Sequence, residues 1–146
     1  RKESSAASDV YKRQASRRSD TACDTLNEPT SRRAVELLLL GFAGVDAADD
    51  RPKGCLMVQG ALVCSEASET IRRELCERRA ESEAALCRRM QEWKASGDLP
   101  ASVDPEDLAR YVMTVANGIA VQAASGASRE DLRQVVEMTM RTWPPA

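Results

Sequence analysis

The sequence contains no histidine, which removes the commonest general base for a serine or cysteine nucleophile and the commonest partner of cysteine in a zinc site. No GxSxG elbow or SxxK pair replaces it, so hydrolase chemistry has no support. The five cysteines (Cys23, Cys55, Cys64, Cys76 and Cys87) are odd in number and contain no CxxC pair. They read as free, reduced thiols, and no metal site is expected. Cys76 and Cys87 share a helix face but sit about three turns apart, too far to bond each other, which leaves a redox switch as the sharper alternative. Phosphate-cradling loops are missing too: Gly41-Phe42-Ala43-Gly44 and the stretch from Gly54 to Gly60 lack a Lys-Ser/Thr ending and a strand before them. No cofactor and no catalytic residue is therefore expected.

Aromatic residues make up only 3% of the chain, and β-branched runs bounded by turn residues are absent, whereas Ala, Leu, Val and Met are plentiful, so composition leans helical. No run approaches the roughly 18 to 20 apolar residues of a membrane span, and the polar start lacks the apolar core of a signal peptide. The expected location is the cytoplasm, with no membrane partner. The net charge is −2, from 21 basic and 23 acidic residues. Up to Arg33 there are 8 basic and 5 acidic residues (net +3), leaving 13 and 18 afterwards (net −5), so no basic surface for nucleic acid is concentrated in the structured part.

What is present is helical punctuation. The 146 residues divide into a leader, 1–30, and one helical domain, 31–146. The leader is rich in Ser, Arg, Asp and Thr, has no apolar periodicity, and is expected to be disordered or non-native; residues 1–14 resemble a translated adaptor sequence. A first helix from Ser31 carries Ala34, Val35, Leu37 to Leu40 and Phe42, and Gly41 and Gly44 stop it. A charged loop, 46–53, precedes an apolar segment, 55–64, read as a tightly packed helix. Ser68 is a candidate cap for a long helix over 68–95 with Ile71, Leu75, Ser82, Leu86, Met90 and Trp93 on one face and alternating Arg and Glu on the other. That charged face reads as solvated surface, with Glu74 and Arg78 at a favourable i, i+4 offset.

Gly97 and Pro100 close the long helix, and Asp104-Pro105-Glu106-Asp107 opens the next with a cap acceptor, a first-turn proline and acidic residues at the positive end of the dipole. From Ala109 to Ser125 only Arg110 and Tyr111 are ionisable. A helix so uniformly apolar must be covered on nearly every side; a chain of about five helices could bury it internally, but pairing with a second copy would do so more readily. Ser128-Arg129-Glu130-Asp131 reads as a capping box for a last helix carrying Leu132, Val135, Val136, Met138, Met140 and Trp143, ended by Pro144-Pro145. The expected fold is all-α, about five helices in a bundle-like domain that dimerises through its last two.

Gly54-Cys55-Leu56-Met57-Val58, the long Arg/Glu helix, Ser96-Gly97-Asp98-Leu99-Pro100 leading to Asp104-Pro105-Glu106-Asp107-Leu108-Ala109, then Gly118-Ile119-Ala120-Val121 and Gly126 to Leu132 together resemble the C-terminal regulatory domain of TetR/AcrR-type transcriptional repressors, over about residues 31–143. The resemblance implies a non-enzymatic domain whose middle helices enclose an effector pocket. Its last two long helices would form a four-helix bundle across a two-fold axis. Operator DNA would be read by an N-terminal helix-turn-helix head that residues 1–30 do not match. No pocket residue transfers by motif, so candidates come from helix and side-chain type. For a small apolar or amphipathic effector they are Met57, Ala61, Leu86, Met90, Trp93, Tyr111 and Val115; for the homodimer interface, Val112, Ala116, Ile119, Ala120, Ala123, Val136 and Met140. The alternative is a helical interaction or scaffolding domain with no small-molecule site.

Overall fold

A computed structural model of the chain describes residues 25–45 and 69–145, except the side chains of 69–72 and 75. The leader up to residue 24, the loop and apolar segment of 46–68, and with them Ser68, Met57, Ala61, Cys23, Cys55 and Cys64 lie outside the described residues. Four helices and no strand occur among the described residues: α1 (Ser31–Ala43), α2 (Glu69–Ser96), α3 (Pro105–Ala124) and α4 (Arg129–Arg141). The fold is all-α, as the composition and capping pattern anticipate.

Local chemistry sets each boundary. Thr30 caps α1 by accepting the Arg33 amide on Oγ1 at 3.4 Å. At its other end Gly44 adopts φ 68°, from which its N–H reaches the carbonyls of Gly41 and Leu40. Gly97, at φ 85°, turns the chain out of α2 so that the amides of Asp98 and Leu99 both return to the Trp93 carbonyl, at 2.9 and 3.3 Å. Asp104 Oδ1 accepts from the amides of Glu106 (2.8 Å) and Asp107 (3.1 Å) to start α3. These two bonds, that from Asp107 first, hold the Asp104 carboxyl below its ordinary value of 3.8. The capping box of α4 is reciprocal: the Asp131 amide donates to Ser128 Oγ at 3.1 Å, and Asp131 Oδ2 accepts from the Ser128 amide at 3.3 Å.

α3 is the central helix and touches α1, α2 and α4. Its residues Ala109, Val112, Met113, Ala116, Ile119, Ala120 and Ala123 are all buried. All of them but Ala120 meet Val35, Leu38 and Leu39 of α1, Leu86, Met90 and Trp93 of α2, and Leu132, Val136 and Met140 of α4 in one core. The small Ala residues of α3 let its neighbours approach closely, and the longer side chains of α1, α2 and α4 fill the space between. Trp143, 7% exposed, closes the core at the end of α4.

Candidate functional site

The long helix brings together three of the residues expected in a pocket. Leu86, Met90 and Trp93, at spacings of four and three, point to the same side of α2 and are at most 2% exposed. The Trp93 indole N–H is buried and finds no acceptor among the described residues. An unsatisfied buried donor costs about 1–3 kcal/mol, a cost that Arg79 Nε also carries among the described residues. Val115 is half-buried against the same core, whereas Tyr111 is 44% exposed and does not join the cluster.

The residues expected at the dimer interface are buried within the single chain. Val112, Ala116, Ile119, Ala120 and Ala123 of α3, with Val136 and Met140 of α4, are each no more than 6% exposed inside the single chain. Three neighbouring helices account for their burial, so a second subunit is not needed to cover them. The apolar side chains left outside are different: Tyr111 and Val121 on α3, and Val135 and Met138 on α4, the last 60% exposed. On α3 they fall with Thr114 and Gly118 along one solvent-facing stripe at helical spacing.

Of the open grooves on the described surface, two stand out, and neither contains an expected pocket residue. One, of about 320 Å3, lies between α2 and the start of α3 and is lined by Ala80, Glu83, Ala84, Cys87 and Glu106. Arg110 bridges its two acidic lining residues, 2.8 Å from Glu106 and 3.7 Å from Glu83. The hydrogen bond and charge of Glu106 raise the guanidinium above its usual range. The other groove, of about 220 Å3, sits where Thr30 to Arg32, Asp98 and Trp143 to Pro145 meet. Cys76 and Cys87 are half-buried free thiols.

Polar residues that residue type alone did not single out hold the start of α1. Ser31 is 1% exposed; its amide donates to Asp98 Oδ2 at 2.7 Å, and its Oγ accepts from Trp143 Nε1 at 3.3 Å. Arg32 donates to the Met140 carbonyl at 2.8 Å. Arg89 stacks 4.5 Å from the Trp93 ring centroid, pairs with Glu92, and donates to the carbonyls of Leu26 (2.7 Å) and Glu28 (3.3 Å). A buried serine and an arginine in an Arg/Glu helix carry no periodic signal that separates them from a core filler and a solvated charge.

Known proteins share both sequence and fold with the chain. The sequence model of the tetracyclin repressor-like C-terminal domain matches residues 35–139. The chain belongs to that family. It is thus a domain of a TetR-type transcriptional regulator and not an enzyme. The HTH-type transcriptional repressor ComR of Escherichia coli (strain K12) is 33% identical over 117 residues, 80% of this chain and 56% of ComR. The chain therefore spans little more than half the length of that relative. A cysteine mutant of the TetR family transcriptional regulator CifR, solved with 26-bp double-strand operator DNA, superposes with a TM-score of 0.81 at 37% identity, covering 88% of this chain and 68% of that one. A TetR transcriptional regulator from Rhodococcus sp. RHA1 does so with a TM-score of 0.72 at 33% identity, over 86% and 67% of the two chains. No helix among the described residues is long and apolar enough to cross a membrane.

Proposed function

We propose that this domain is the regulatory half of a cytoplasmic TetR-type repressor, which pairs with a second copy of itself, binds a small effector, and thereby controls operator binding by a helix-turn-helix portion of the whole protein. The observation that carries the pairing is the apolar surface the bundle leaves uncovered: Tyr111 and Val121 on α3 with Val135 and Met138 on α4. Two identical copies facing each other across a two-fold axis would remove these side chains from water twice over. The relatives support the DNA half of the reading, since ComR is a repressor and CifR is seen with operator DNA.

For the effector, the buried face of α2 is the favoured contact. Leu86 and Met90 offer an adaptable apolar wall, and the Trp93 N–H offers one hydrogen bond to an acceptor on an otherwise apolar or amphipathic molecule. The test has two parts. Sedimentation velocity should show a dimer at micromolar concentration, and a monomer would remove the pairing. Thermal unfolding against a panel of apolar and amphipathic compounds should reveal at least one that raises the midpoint, because a compound at 100 times its Kd adds about 2.7 kcal/mol to the folded state. A panel without any shift, beside a stable dimer, would favour a helical interaction module with no small-molecule site.

A further inference from the structure

Side-chain hydrogen bonds in the described bundle are mostly local, reaching at most nine positions along the chain. Five join positions 61 to 112 apart, and all five end within residues 26–32. They come from three separate places: Arg89 in the last third of α2, Asp98 in the turn after it, and Met140 and Trp143 at the end of α4. Thr25 and Leu26 are helical and the chain turns over 27–30 before α1 begins, so Leu26 and Glu28 present carbonyls with no helical partner ahead of them. Arg89 satisfies both with two prongs of one guanidinium, while Glu92 takes a third nitrogen and the Trp93 ring supports the plane. Nothing about burying the core of α2 requires this; a leucine at position 89 would cover Trp93 without fastening the chain.

We propose that Arg89 and Asp98 are positioning residues that lock residues 26–31 onto α2, so that the direction in which the chain enters the bundle is set by that helix and moves with it. The lock is a property of this chain alone. Its regulatory consequence rests on the reading above: an effector lying against Leu86, Met90 and Trp93 would press on the same turns of α2 that hold the lock, with Arg89 one position before Met90 and stacked on Trp93. Asp98 fixes the far end of the segment through the Ser31 amide, and Ser31 in turn meets Trp143, so α4 is tied to the same node.

The test is nuclear magnetic resonance on the 146-residue chain without DNA or effector, so it succeeds or fails independently of the effector reading. In the wild type, residual dipolar couplings of the amides of 26–31 should fit the alignment of α3. In Arg89→Gln they should fall toward zero while those of α3 are unchanged, and exchange of the Ser31 amide, which Arg89 does not touch, should accelerate about 10-fold as the segment opens as a unit. Arg89→Lys keeps the charge beside Glu92 but lacks the fork needed for two carbonyls, so it should lie between the two. A wild-type fit retained in Arg89→Gln, or Ser31 exchange changed less than about 2-fold, would overturn the proposal. If Arg89→Gln loses the dispersed spectrum of a folded chain, Arg89→Lys decides. Unfolding of both would also overturn it, since the arginine would then hold the bundle and not the segment.

Discussion

A charge placed at position 116 and a charge placed at position 138 should have opposite consequences, and the difference tests the proposed pairing with a second copy. Ala116 is 0% exposed, enclosed by its own chain. Ala116→Arg forces a long side chain and an unpaired cation into that space at a cost of about 3–5 kcal/mol. Such a loss is comparable with the whole stability of many domains and should lower the thermal midpoint by roughly 10–20 °C or abolish folding. Met138 is 60% exposed in the single chain, so Met138→Arg leaves the core intact. If the exposed fraction is covered in a dimer, burying it is worth about 1–2 kcal/mol per subunit, taken from about 1.5–3 kcal/mol for a whole side chain. Symmetry doubles that to about 2–4 kcal/mol, which predicts a dimer about 30- to 700-fold weaker. Circular dichroism during heating reads the first effect, and sedimentation velocity over a concentration series reads the second. A folded, monomeric Ala116→Arg beside a fully dimeric Met138→Arg would refute the reasoning and return the interface to Val112, Ala116 and Ala120.

Two further outcomes follow from the caps. Asp104→Ala should lower the denaturation midpoint at pH 7, and the difference from the wild type should shrink in acid: the folded carboxyl titrates below 3.8, so its contribution is complete above the ordinary carboxylate range and fades as pH falls through the lowered value. Asp104→Asn keeps an acceptor for the Glu106 and Asp107 amides and should show a flatter acid profile; urea titrations at pH 7 and pH 3 compare them. Gly97→Ala places a Cβ at φ 85° and should destabilise by about 1 kcal/mol. Gly41→Ala, inside α1 with open space around the added carbon, should stabilise by about 0.5–1 kcal/mol, so equal effects in urea titrations would refute the assignment of these two glycines.

Helix boundaries were legible in the sequence because each is decided within a few residues. Asp104-Pro105 starts α3, Ser128 and Asp131 start α4, and Gly97 ends α2, all by contacts within one turn. The resemblance to the TetR family lay in residue phrases such as Ser96-Gly97-Asp98-Leu99-Pro100 and Asp104-Pro105-Glu106-Asp107, taken in their order and spacing. The facing of α3 was not legible, and the reason is physical. A helix with Val112, Val115, Ile119 and Val121 spread around its circumference has no polar side to mark as outside, so its periodicity cannot say which stripe its own neighbours cover. The three helices packed around α3 decide it: they close over Val112, Ala116 and Ala120 and leave Tyr111 and Val121 to solvent.

The polar node at the start of α1 was hidden for a different reason. Arg89 follows Arg88 in a helix of alternating charge, and the two differ only in rotation about the axis: Arg88 is exposed, while Arg89 lies beside Trp93 with its guanidinium on Leu26 and Glu28. Its partners are backbone carbonyls, which every residue possesses and no sequence pattern marks. Ser31 was likewise indistinguishable from Thr30 as the first capping group; Thr30 takes the cap and frees the Ser31 hydroxyl to receive the Trp143 indole 112 positions away. Local signals therefore placed the helices, whereas the contacts that orient the incoming chain against α2 and α4 depend on which side of each helix turns inward, a quantity that only the assembled bundle determines.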